Sequence, residues 1–177
     1  MDTQTFYATA AVLCFTLLGF WWIVVQFRHT ELTRETGPRR FAFLVSLHFV
    51  LPGLVSLASL LATGALWRVA FGLAGVTGIA AAVIGLSDST IRSGPLGRIG
   101  RVAWLAVPLY AALTLVAVDP GLAGSVLGLQ PLQVEGLILV VVLLVGIMLA
   151  WLLFTEPLAP RGVDQPAAEH VSPTVTR

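Results

Sequence analysis

Apolar residues in this chain come in long unbroken runs, without the alternation of a half-buried strand or the narrow stripe of a soluble amphipathic helix. Roughly 20 apolar residues cross hydrocarbon as a helix. Five runs reach or approach that length, at 6–27, 41–63, 67–86, 102–118 and 134–154. The fourth is the shortest and contains Pro108. Backbone groups in lipid must be paired within the structure, and continuously apolar runs satisfy this as helices rather than as barrel strands. The pattern predicts an all-α polytopic membrane bundle of five transmembrane helices over residues 1–155. From 156 onward the chain turns to Pro, Ala, Thr and charge with no apolar period, and 156–177 is expected to be a disordered cytoplasmic tail.

Composition removes the competing classes. Of the 177 residues 57% are apolar and 11% charged, with a mean hydropathy of +0.92. Soluble domains carry about 25% charged residues, so a water-exposed globule is excluded, and so is disorder of the whole chain. Cys14 is the single cysteine, which leaves no internal disulfide and no thiolate zinc site, and it reads as a small buried hydrophobe.

Charge then orients the spans. All ten basic residues are arginine. Arg28, Arg34, Arg39 and Arg40 follow the first run, and Arg92, Arg98 and Arg101 follow the third. Arg161 and Arg177 lie in the tail, which leaves Arg68 alone on the other side. Arginine-bearing loops stay cytoplasmic, so the amino end is expected outside and the carboxyl end inside a cell (inner or plasma) membrane. The amino end has no basic segment before its apolar run, so the first run reads as a retained helix rather than a cleaved signal. Trp21, Trp22, Trp104 and Trp151 fall near the cytoplasmic helix ends, and Tyr7 and Trp67 near the outer ends, as in an interfacial aromatic belt.

A formal charge of +1 excludes general nucleic-acid binding. The loop with Asp88, Ser89, Thr90, Arg92 and Ser93 has no lysine after its glycines and so makes no phosphate loop. Its arginines suit anionic lipid headgroups, at about 1 kcal/mol each. Residues 119–133 form an outer loop, apolar enough to lie along the membrane surface or dip into it.

Polar side chains inside the runs are the candidates for function. With His48 at zero, helical geometry puts Ser59 at about 20°, Pro52 at about 40°, Thr63 at about 60° and Ser56 at about 80°. One stripe thus gathers three hydroxyls, a histidine and a proline that denies the His48 carbonyl its helical partner and predicts a kink. His48 reads either as a packing residue bonded to a neighbouring helix or as a proton, ion or ligand site. In the first run Thr5, Thr9, Thr16, Gly19 and Gln26 share a face expected to meet another helix, with Trp21 and Trp22 directed away from it. Tyr110 sits mid-span with Thr114 one turn further on, and a phenol at that depth needs a partner. Ala70, Ala74, Gly78 and Ala82 form a small-residue stripe for close helix contact, within the chain or between chains. The fifth run reads as a plain anchor, with Gly146 and Ala150 as a contact point.

Catalytic groups are scarce. Glu135 and Asp88 lie at the ends of runs, and His29, His48 and His170 are scattered, so no hydrolase constellation, metal centre or cofactor is expected. Five helices with several tryptophans in a short chain resemble the tryptophan-rich sensory (translocator) proteins in outline; their tryptophan–proline pattern is absent, so no residue role is carried over. The expected function is an interaction or accessory subunit, with the lipid bilayer and a membrane-protein partner or homo-oligomer as its contacts. The alternative is a small solute, proton or ligand transport or binding protein that uses the stripe on the second helix.

Overall fold

A computed structural model describes residues 2–34, 36–61, 65–87 and 101–155. Among these residues the chain is helical, without a strand. The elements are α1 (Thr3–Phe27), α2 (His29–Arg34), α3 (Thr36–Leu61), α4 (Leu66–Leu86), α5 (Ala106–Val118), α6 (Gly121–Leu127) and α7 (Pro131–Thr155). Five helical segments are long and apolar enough to cross a membrane, and they match the five runs, each bound within five residues. Thr63, the Arg92 and Arg98 loop and the 156–177 tail lie outside the described residues.

Local chemistry accounts for most helix boundaries. Asp2 caps α1, its Oδ1 accepting the Thr5 N–H at 2.6 Å. Pro38 lies in the first turn of α3, where a missing N–H costs nothing. Gly128 ends α6 at φ 65°, a left-handed position that glycine adopts without strain. The fourth span is composite. The 13 residues of α5 reach only about 20 Å, short of a core of about 30 Å. A helical turn at 101–103 precedes it, and the 18-residue segment Arg101–Val118 reaches about 27 Å. Between the two pieces the ladder tightens, with Leu105 N–H bonded to Val102 O and Val107 N–H to Trp104 O. Pro108, in the first turn of α5, has no N–H for Trp104 O, and the Val107 amide takes its place.

The long helices form a closed ring of neighbours in the order α1, α3, α4, α5, α7 and back to α1, with α3 also touching α7 across the middle. Two packed regions fill the ring. Near the Asp2 end lie Phe71, Leu113 and Val142, each fully buried, with Tyr7 and Tyr110. Near the Arg28 end lie Trp21, Phe41, Val45, Phe49 and Leu149. Lipid tails are as apolar as leucine, so close van der Waals contact holds such helices together. Glycines permit that contact where α4 meets α5. A Cβ on Gly78 would meet the Tyr110 ring, and one on Gly75 would lie 2.9 Å from Tyr110 O.

Arginines tie off the helix ends. The Arg28 guanidinium donates to Leu153 O and Phe154 O at the end of α7. Arg68 donates to Ala117 O at 2.8 Å and to Val118 O at the end of α5. Both cations satisfy carbonyls that have no helical partner and complement the negative end of a helix dipole.

The first helix buries a different face from the one expected. Thr5, Thr9, Thr16, Gly19 and Gln26 are exposed, and Tyr7, Ala11, Cys14 and Trp21 face the bundle. Thr9 and Thr16 return their hydroxyls to Thr5 O and Val12 O at 2.8 Å, so these two exposed threonines have their donors satisfied within the helix. Trp21 is not part of a surface belt. Its indole N–H donates to Ser46 Oγ at 3.0 Å and Ala42 O at 3.3 Å inside the core. Tyr7 is likewise internal, its hydroxyl donating to Leu132 O of α7 at 2.7 Å. Trp22, Trp104 and Trp151 are exposed.

Candidate functional site

His48 lies near the middle of α3, about 18 Å along the helix from Thr36. The helix continues through Pro52, and both residues are buried. His48 Nδ1 lies 2.9 Å from Leu44 O. A carbonyl only accepts, so Nδ1 carries the hydrogen and Nε2 is left with a lone pair. That Nε2 is buried without a partner. Gly146 of α7 makes room for the imidazole, since a Cβ there would stand 2.7 Å from His48 Cβ.

Tyr110 of α5 also packs against His48. Their ring centroids are 5.8 Å apart in an edge arrangement, and the Tyr110 ring rests on Gly78 of α4. The Tyr110 hydroxyl is also buried without a partner. Two side chains in ring contact thus each carry a buried, unpaired polar atom, one a lone pair and the other a hydroxyl. An unpaired polar group in an apolar interior costs several kcal/mol, by transfer scales about 2–7. A water, a proton or a small hydrogen-bonding molecule relieves that cost here, because one group accepts and the other donates.

The other residues of the predicted stripe divide. Ser56 is fully buried with its Oγ unpartnered, beside a cleft of about 170 Å³ between α1, α3 and α7 lined mostly by apolar groups such as Leu13, Cys14, Pro52 and Leu143. Ser59 returns its hydroxyl to Ser56 O at 2.8 Å, and Thr114 to Tyr110 O at 2.9 Å, so neither offers a free donor. The small-residue stripe turns inward at three of its four positions: Ala74, Gly78 and Ala82 are buried within the chain, and Ala70 is half-buried.

Glu135 changes the picture most. Read by position it belongs to a helix end; in the structure it is fully buried, with both carboxylate oxygens unpartnered. It is the fifth residue of α7, and Tyr7 of α1 lies within its electrostatic reach. Sequence carries one sign of this: Glu135 is an acidic residue followed by apolar residues from Leu137 to Phe154. Which neighbour would cover it was not legible.

Among the described residues no group of three His, Cys, Asp or Glu side chains is placed to hold a metal ion. No protein-family model, curated protein or solved structure matches the chain.

Proposed function

We propose that this is a five-span protein of the cell membrane, amino end outside, whose His48–Tyr110 site binds a small hydrogen-bonding solute or passes a proton. The observation that carries this reading is that two side chains in ring contact, His48 and Tyr110, each hold a buried, unpartnered polar atom, and that the two atoms have opposite hydrogen-bonding sense. Intramembrane polar groups of this kind mark ligand sites and proton paths. Helix docking has less support than the sequence alone gives it, because Gly78 is spent beneath Tyr110.

Proton flux into liposomes containing the purified protein and a trapped pH dye tests the reading directly. His48→Ala and Tyr110→Phe are each expected to reduce flux, or the binding of a co-purified small molecule, at least tenfold without loss of the folded protein. Unchanged flux and binding in both variants would refute it.

The accessory-subunit reading keeps one observation of its own, an apolar groove of about 240 Å³ between α3 and α4 lined by Leu54, Ala58, Leu73 and Thr77 among others. Native mass spectrometry of gently extracted protein separates the readings. A stoichiometric second polypeptide supports the subunit, and a lone chain or homo-oligomer carrying a small bound mass supports the site.

A further inference from the structure

Glu135 lies about 6 Å along α7 from its first residue, past the turn whose free N–H groups would otherwise receive a carboxylate. No side chain or backbone group donates to either oxygen. An ionised carboxylate left in this condition is far more costly than a neutral polar group, so the carboxyl needs a proton or a cation to remain where the fold puts it. Hydrogen-bonding groups nearby are already committed: the Tyr7 hydroxyl is given to Leu132 O. Tyr7 in turn packs on Phe71, the rings 6.0 Å apart in an edge contact.

A cleft of about 280 Å³ at the Asp2 end is lined by Asp2, Thr3, Phe6, Leu132, Gln133 and Gly136, among others. Leu132 and Gly136 lie close to Glu135 on its own helix, and the Phe6 ring, which lines the cleft, packs at Gly136 and 5.2 Å from the Tyr7 ring. We propose that Glu135 is an intramembrane proton-binding site, loaded and unloaded through this cleft past the Phe6 and Tyr7 rings. The assignment does not rest on the His48–Tyr110 reading, since Glu135 and Gly146, which seats His48, are eleven residues or about 16 Å apart along α7.

Titratable and charged groups at this end are few among the described residues. Tyr7 and Asp2 come from α1, Asp119 follows α5, and Arg68 of α4 holds the Ala117 and Val118 carbonyls. None of them is hydrogen-bonded to Glu135.

Dicyclohexylcarbodiimide provides the test, because it partitions into lipid and reacts with the protonated form of a carboxyl. The acid proton passes to a carbodiimide nitrogen, and a carboxyl oxygen bonds to its central carbon. The full-length protein in liposomes is treated across a pH series and read by peptide mass spectrometry. The expected result is an adduct on Glu135 that declines about tenfold per pH unit once the carboxyl ionises, and that is absent in Glu135→Gln. Should that variant fail to fold, the site and pH profile in the unaltered chain still decide. Three results would overturn the proposal: an adduct independent of pH, no adduct on Glu135 while a water-soluble carbodiimide couples to Asp119, or protection by sodium but not potassium, which would make the occupant a metal cation.

Discussion

At the scale of single residues, Asp2 shows how a capping bond becomes a pH response. The Thr5 backbone N–H, and after it the Thr5 hydroxyl, hold the Asp2 carboxyl below its ordinary value of 3.8. A lowered value means that the ionised form favours the folded turn, so the contribution is fully present above 3.8 and is lost as pH falls through the depressed value. The protection factor of the Thr5 amide, its exchange relative to an unstructured peptide at the same pH, is expected to fall only below pH 3.8; a fall between neutrality and that value would contradict the assignment. The same scale separates what could be read from the sequence from what could not. His48 and Tyr110 stand out because a polar residue in an apolar run is conspicuous, and both prove to be buried beside one another. The threonine face of α1 was misread because a hydroxyl bonded to its own helix is apolar in effect, which composition does not reveal. Trp21 and Tyr7 were placed by their distance from helix ends, whereas Ser46 and Leu132, distant in sequence, determine their partners.

At the scale of the helices, apolar length was enough to locate the spans and not enough to say which side of each faces protein. The close α4–α5 contact depends on absent side chains. Gly78→Ala puts a Cβ 2.6 Å from Tyr110 Cδ2, inside any real contact distance. Overpacking of this kind costs about 1–3 kcal/mol, and a lowered melting midpoint in micelles is expected. Gly72 is the matched control on the same helix, with nothing within 4 Å of its would-be Cβ. Gly72→Ala is expected to leave the midpoint unchanged or raise it slightly, because alanine favours a helix by about 1 kcal/mol over glycine. Equal effects of the two substitutions would mean that the α4–α5 approach is looser than described.

For the molecule as a whole, the proposed orientation makes the Asp2 end extracytoplasmic and places the arginine-rich ends of α1 and α3 inside. With Cys14 replaced by alanine, Thr3→Cys in intact cells is expected to react with a membrane-impermeant maleimide, and Arg101→Cys only after lysis. The reverse pattern would invert the topology and would carry the Glu135 cleft to the cytoplasmic side.

Closure of the ring between α1 and α7 has a consequence for biosynthesis. α7 brings Glu135 within electrostatic reach of Tyr7, seats Gly146 against His48 and receives Arg28 at its end. Until Pro131–Thr155 packs onto the other helices neither polar site has its walls, and the Arg28 guanidinium has no α7 carbonyls to grip. A chain stalled after α6 would therefore present a cell's quality-control proteases with an open polar seam that α7 otherwise hides.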